Sequence, residues 1–410
     1  MKRTLKLTEY QTETAFRLTN EERDTLRELV SSVTIQPTVG LSDCYDITPS
    51  STIGAIEMEG LSVEIHPKLP MERVLFLVSY ALDPKQWRNS GFDFDAADSL
   101  VDAVVPGFAR QVRRAIERGL LQGYRREEDS SSTVRGQIRF GDQIRDRFGL
   151  APPVEVTFDE FTDDIIENQL LKAAIARLKY RRIRSEPIRR MLSNFDANLA
   201  TVSPVRFDPR ALPEIQFTRL NEHYRPAIEL ATLILKSTSW ELKRGSFRAS
   251  SFLIDMNKVF EEFVITALRE ELRVGERDFP SNCRHKPLFM DTANRVGLEP
   301  DISWWDGNRC VFVGDVKYKP INAPGIKHPD LYQLLAYTTA TNLPTGLLIY
   351  AAGVTDPRTH EVRFADKTLE VTALDLSGTP DQILDQISGL ANNIRSSAQA
   401  VRRKASYASV

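Results

Sequence analysis

Two short segments hold residue types that can do chemistry together. In Glu299-Pro300-Asp301-Ile302-Ser303-Trp304 an acid opens a predicted strand, and in Val311-Phe312-Val313-Gly314-Asp315-Val316-Lys317 an acid and a lysine alternate along an apolar one. Side chains at i and i+2 of a strand point to the same face, so Asp315 and Lys317 are expected side by side. Two carboxylates from neighbouring strands can hold a hard divalent cation through oxygen ligands. An adjacent ammonium can orient a water or stabilise charge developing on a phosphate. Metal-assisted attack on a phosphodiester needs such a set. Glu261, within the predicted helix Asn257-Lys258-Val259-Phe260-Glu261-Glu262-Phe263-Val264, offers a third carboxylate, with Glu262 the lesser choice. Gln333 and Tyr337, four apart in a predicted helix, share one face and can hydrogen-bond a phosphate or support the metal. Lys319 lies on the face of Asp315 and Lys317, so an exchange of roles between the two lysines stays open. D-x-K, Pro-Asp or Gln-x-x-x-Tyr alone is common and mostly structural. The signal lies in their joint order on these elements.

The elements that must position these residues form an α/β pattern from about residue 251 onward. A helix is predicted over 252–272, strands over 286–290, 299–305 and 310–318, a helix over 329–341, strands over 346–350 and 368–375, and a last helix from 380. The chain before it is expected to be α+β, with a β-rich start over 1–95 and a mostly helical middle over 96–250. In the first part Thr19-Asn20-Glu21-Glu22 reads as a capping box, Glu59-Gly60 as the turn of a hairpin, and 71–82 as an amphipathic helix. Residues 83–98 read as irregular. In the middle, helices are expected over 98–118, 165–184 and 220–237, with Glu127-Glu128-Asp129-Ser130-Ser131-Ser132 as an exposed loop. Arginines crowd 110–147, and basic residues crowd 177–190. Two readings of these stand: contact with DNA phosphates, or partner-facing and structural surface.

Composition excludes several classes. The 410 residues carry 54 Lys+Arg against 56 Asp+Glu, a net charge of −2, which argues against a basic DNA-coating or polybasic membrane-surface protein. Three cysteines and five histidines, with no CxxC or HExxH spacing, make neither a disulfide scaffold nor a zinc site. No apolar run approaches the roughly 18 residues of a membrane span. The chain is therefore expected to be cytoplasmic, with no membrane partner. A GxxxxGK[ST] loop is absent from the sequence, so nucleotide hydrolysis is expected to belong to another subunit.

The acid and lysine constellation resembles the PD-(D/E)xK nuclease superfamily, with Gln333 and Tyr337 similar to the motif of its RecB-like branch. The resemblance narrows through further segments. Gly60-Leu61-Ser62-Val63-Glu64-Ile65-His66-Pro67-Lys68, Val134-Arg135-Gly136-Gln137-Ile138, Phe158-Asp159-Glu160-Phe161-Thr162-Asp163-Asp164 and Glu167-Asn168-Gln169-Leu170-Leu171-Lys172-Ala173-Ala174 resemble the McrC family, as does 252–264. The similarity runs over about 50–385. It implies a restriction-endonuclease-like nuclease domain over 251–410 and a partner-docking region over 1–95. It also implies a Mg²⁺-dependent DNA endonuclease subunit of a GTP-dependent, modification-dependent restriction complex. Its partner would be a McrB-like hexameric AAA+ GTPase, which it would stimulate, and its substrate double-stranded DNA, with a second copy supplied by assembly of two complexes. On this resemblance Glu261, Asp301 and Asp315 ligate Mg²⁺, the backbone carbonyl of Val316 completes the shell, and Lys317 positions the attacking water. GTP would be used by the partner. A stand-alone RecB-like nuclease in repair or phage DNA turnover is the alternative.

Overall fold

The computed structural model describes every residue except 1–2, 31, 83, 85–99, 180–182, 184, 210, 238–241, 245–246, 282–285, 320–327, 352–357 and 409–410. The irregular stretch expected at 83–98 and the arginines Arg181, Arg182 and Arg184 therefore lie largely or wholly outside the described residues. The chain forms two compact units, Met1–Leu100 with Leu253–Val410, and Val101–Phe252. The three segments read along the sequence thus give two bodies, because the first and last pack together.

In the first unit the capping box forms as read. Thr19 Oγ1 accepts from Glu22 N at 3.2 Å, Thr19 N donates to Glu22 Oε2 at 2.9 Å, and the helix Asn20–Leu29 follows. The strands Thr52–Met58 and Leu61–His66 pair antiparallel across the Glu59-Gly60 turn, and Arg3–Thr8 adds in parallel to Leu61–His66. Met71–Leu82 is helical, and its apolar face packs on the helix Met256–Leu272, with Phe76 and Phe263 edge to face at 5.3 Å.

That second helix starts later than its apolar pattern predicts. Asp255 is its N-cap and accepts from Asn257 N at 3.0 Å and from Ser51 Oγ at 3.0 Å. A capped residue holds extended backbone, so 247–255 runs as a strand instead.

The sheet that matters most has the order Ile302–Asp306, Arg309–Lys317, Thr345–Ala351, Lys367–Leu374, Arg358–Val362. The first pair is antiparallel, the next two parallel and the last antiparallel. Parallel strands are covered on both faces, which explains the unbroken apolar run Val311–Val313. The helix His328–Ala340 lies on one of the parallel strands. Leu334, Tyr337, Val313, Leu348, Tyr350, Leu369 and Val371 share one buried cluster. Each such aliphatic side chain contributes roughly 1.5–3 kcal/mol by leaving water. Two glycines permit the approach. A Cβ on Gly314 would meet Leu347 O at 2.7 Å, and one on Gly346 would meet Thr338 Cγ2 at 2.5 Å.

The second unit is less helical than its sequence suggests. Gly123–Ser131, Val154–Thr162 and Gln137–Ile138 form a three-stranded antiparallel sheet. The loop expected at 127–132 is largely a strand. Arg125 and Glu127, two apart and on one face, form an ion pair, so the polar run is satisfied as a strand once Val154–Thr162 supplies the ladder. Helices Leu100–Ile116, Phe140–Arg147, Ile166–Lys179, Glu186–Asn198 and Arg225–Ser237 accompany this sheet. Among the described residues no helix is long and apolar enough to cross a membrane.

Candidate active site

Strand pairing brings the two acids together. Ile302 stands opposite Gly314, so Asp301, one residue earlier, reaches the neighbouring strand beside Asp315. Asp301 is fixed there because its Oδ2 accepts from Val316 N at 2.8 Å. The turn that delivers it is held from the helix His328–Ala340, where the buried Tyr337 hydroxyl donates to Glu299 O at 3.1 Å.

Lys317 lies on the face of Asp315, as the strand period requires. Its Nζ is 2.5 Å from Asp315 Oδ2 and 3.8 Å from Asp301 Oδ2. Asp315 is only 1% exposed, and among the described residues neither carboxylate oxygen finds a partner with hydrogen-bond geometry. Burial, and then the charge of Asp301, push its carboxyl up to about 8. Asp301 is also raised, by burial and by the charge of Glu261, against the pull of Asp315, Lys317 and the Val316 N–H. Burial lowers the Lys317 ammonium, but the carboxylates of Asp315 and Asp301 outweigh it and the net direction is up. The centre is therefore two crowded acids and one firmly protonated lysine.

Glu261 stands near enough to Asp301 for its charge to raise the Asp301 carboxyl. Among the described residues no group of three His, Cys, Asp or Glu side chains stands close enough to hold a metal. The helix Met256–Leu272 buries Phe260, Phe263 and Val264, so Glu261 falls at the rim of its packed face. It borders a cavity of about 450 Å³ lined also by Lys258, Glu262 and Arg269, and it reaches Asp301 through its charge. Asp301 and Asp315 alone still suit Mg²⁺. That ion commonly takes one or two carboxylates and keeps water for its other positions. The Asp315 oxygens, ion-paired with Lys317 but without a hydrogen bond of good geometry among the described residues, are the observation that supports the fit.

Gln333 is exposed and Tyr337 buried, so the pair expected to act together does not share an environment. Lys319 pairs with Asp330 Oδ1 at 3.8 Å, which leaves the centre to Lys317. Asp330 is a residue that the sequence reading passed over. It is buried, accepts from the Tyr350 hydroxyl at 2.6 Å, and its charge helps to hold Lys317 protonated. Its one sequence signal is an acid in the first turn of a helix, which ordinarily means no more than favourable dipole placement. Trp304 is buried against Phe279 and under the Arg402 guanidinium, a packing role.

Several arginines of the dense segment are matched within their own unit. Arg125 pairs with Glu127 and Asp164, Arg139 with Glu128 and Asp142, and Arg147 Nε with Glu155 at 2.8 Å. Further on, Arg189 and Arg190 both pair with Glu186. These pairings favour a structural role over phosphate contact.

A parallel-centred sheet bearing the buried Asp315 and, on the same strand, Lys317, with the half-buried Asp301 immediately before the neighbouring strand, defines a mixed α/β protein with a site suited to a hard cation. The family model described as McrBC 5-methylcytosine restriction system component matches residues 47–351, and the chain belongs to that family. It is 20% identical over 307 residues to the Type IV methyl-directed restriction enzyme EcoKMcrBC of Escherichia coli (strain K12), covering 69% of this chain and 86% of that enzyme. Its fold is similar to a chain of the refined half-complex from a tetradecameric assembly of Thermococcus gammatolerans McrB AAA+ hexamers with bound McrC. The TM-score is 0.54 at 18% identity, over 95% of this chain and 100% of that one.

Proposed function

We propose that the chain is the DNA endonuclease subunit of a McrBC-like restriction complex, with its centre in a PD-(D/E)xK nuclease domain. The observation that carries the reading is Asp315, buried between Asp301 and Lys317 with no hydrogen bond of good geometry among the described residues. A buried acid crowded by a second acid and lacking hydrogen bonds of good geometry is costly, and ligand binding offsets that cost. Asp301 and Asp315 would hold Mg²⁺, which when bound would supply Lewis-acid activation and neutralise phosphate charge. The chain's own part is to hold the two carboxylates fixed, through the Val316 N–H and the Tyr337 anchor. It also keeps Lys317 protonated, within reach of a water or a phosphate oxygen. Glu261 adds negative charge at the rim of the centre. Family membership favours this reading over a stand-alone nuclease.

The proposed partner is a GTP-hydrolysing AAA+ ring, in keeping with the McrB AAA+ hexamers that bind McrC in the Thermococcus gammatolerans assembly, stimulated by this subunit and docked by the region before residue 96. A specific observation adds a second docking candidate. On and just after the helix Phe140–Arg147, Phe140, Ile144 and Phe148 stand exposed at four-residue spacing, an apolar stripe of the kind that marks protein contact.

The test mixes the chain with a McrB-like partner, GTP, Mg²⁺ and methylated or unmethylated DNA. Cleavage of methylated DNA by the parent and none by Asp315→Ala, with partner binding intact, is the expected result. Retained cutting by Asp315→Ala sinks the assignment. Ile144→Glu is expected to weaken partner binding if the stripe docks.

A further inference from the structure

Tyr318 follows Lys317 directly and is held at both ends by two consecutive residues from the start of the chain. Its hydroxyl donates to Glu9 Oε2 at 3.2 Å, and its carbonyl accepts from the Tyr10 hydroxyl at 3.1 Å. Glu9 and Tyr10 are themselves fixed. Glu9 N donates to His66 O at 3.0 Å, Tyr10 N to Pro49 O at 2.9 Å, and Lys68 N to Glu9 Oε2 at 3.0 Å. The Lys68 ammonium sits over both rings, 4.0 Å from the Tyr318 centroid and 5.1 Å from that of Tyr10. The Tyr318 ring also packs on Phe260, next to Glu261, at 5.9 Å.

This arrangement is costly. Glu9 is 2% exposed, and neither its Oε1 nor Lys68 Nζ has a hydrogen-bond partner among the described residues. Burial pushes the Glu9 carboxyl up to about 7 against the pull of Lys68 and Tyr318, and burial lowers the Lys68 ammonium. An apolar set would hold two strands together at less cost. The polar groups instead fix one residue, and that residue adjoins Lys317.

We propose that Glu9, Tyr10 and Lys68 form a clamp on Tyr318 that positions Lys317 in the candidate centre. The inference rests on the nuclease reading of that centre. The three residues do not touch the reacting atoms; they act through the backbone that carries Lys317. Misplacing a reacting group by 1 Å can cost about a hundredfold in rate. The same clamp ties the sheet of the N-terminal residues to the end of the Asp315 strand. A disturbance of that sheet therefore reaches the centre through Tyr318.

The test measures steady-state cleavage of methylated DNA by the full chain with its GTPase partner, GTP and Mg²⁺. Tyr10→Phe removes one hydroxyl and keeps the ring under Lys68. It is expected to lower kcat about tenfold with KM within about twofold. Glu9→Gln and Lys68→Met should fall in the same direction, and Lys68→Arg, which keeps a cation over the rings, should recover most of the rate. Thermal midpoints are read alongside, and Tyr10→Phe decides if a bulkier change fails to fold. A parent-like kcat in Tyr10→Phe, an effect confined to KM, or a loss that tracks folded protein overturns the clamp. Asp315→Asn separates the two claims. If it cuts, the nuclease reading fails; if it is inactive beside a parent-like Tyr10→Phe, the clamp alone fails.

Discussion

Asp315 in the first unit and Asp164 in the second are the same residue type, 1% and 5% exposed, yet their surroundings are opposite. Asp164 accepts from Ser203 N at 2.8 Å, Ser203 Oγ at 2.5 Å and Gln169 Nε2 at 2.9 Å, and it pairs with Arg125. Burial raises its carboxyl, but these donors outweigh burial and hold it well below the usual range. Asp315 has an ion pair, a second acid beside it and, among the described residues, no hydrogen bond of good geometry. Satisfied buried acids belong to the scaffold. An unsatisfied one beside a lysine is poised for a ligand.

The largest effect that can break this contrast is on cleavage. Asp315→Asn is expected to reduce the rate by about a thousandfold or more, as loss of a group that acts on the transition state does. The thermal midpoint of the metal-free protein should not fall, since Asp315 is crowded by a second acid and, among the described residues, has no hydrogen bond of good geometry to lose. If that midpoint collapses, Asp315 is a scaffold acid after all.

Asp164→Asn should give the reverse. It leaves Arg125 and the Ser203 donors poorly matched, which costs about 2–3 kcal/mol. Chemical denaturation reads that loss, while cleavage per folded molecule stays at the parent level.

The pH dependence of metal-free stability sharpens the contrast further. Asp315 has a folded value of about 8, above the ordinary 3.8, so it binds its proton more tightly when folded. Its contribution is full below about pH 4 and is lost as pH rises through about 8. Asp164 is depressed, so its contribution is present above the ordinary value of 3.8 and is lost as pH falls toward its folded value. Denaturation across that range should lose its alkaline slope in Asp315→Asn and its acid slope in Asp164→Asn.

The smallest effects concern the helix behind the centre. Tyr337→Phe removes the bond to Glu299 O and should cost about 1 kcal/mol, with a modest fall in cleavage. Gln333→Ala, at an exposed site, should leave both stability and cleavage unchanged. A large loss there would restore Gln333 to the chemistry.

Much of the fold is legible locally. The capping box at Thr19, the hairpin turn at Glu59-Gly60 and the apolar strand bearing Asp315 each follow from signals a few residues long. The strand 123–131 escapes that reading because its polar run gains a reason to extend only when Val154–Thr162 lies beside it. The strand 247–255 escapes because Ser51, some 200 residues away, helps to fix the cap that ends it.

The site divides in the same way. The strand period by itself sets Asp315 and Lys317 on one face, and the order of motifs singles out Asp301. Only the tertiary structure decides that Glu261 stands at the rim, that Tyr337 is an anchor, that Lys319 belongs to Asp330, and that Glu9, Tyr10 and Lys68 converge on Tyr318. The physical reason is range. Periodicity and capping act through neighbouring residues and can be read off the chain. Burial, the charge of a distant acid and the absence of a hydrogen-bond partner are properties of what other strands and helices bring alongside, and they exist only once the chain has folded.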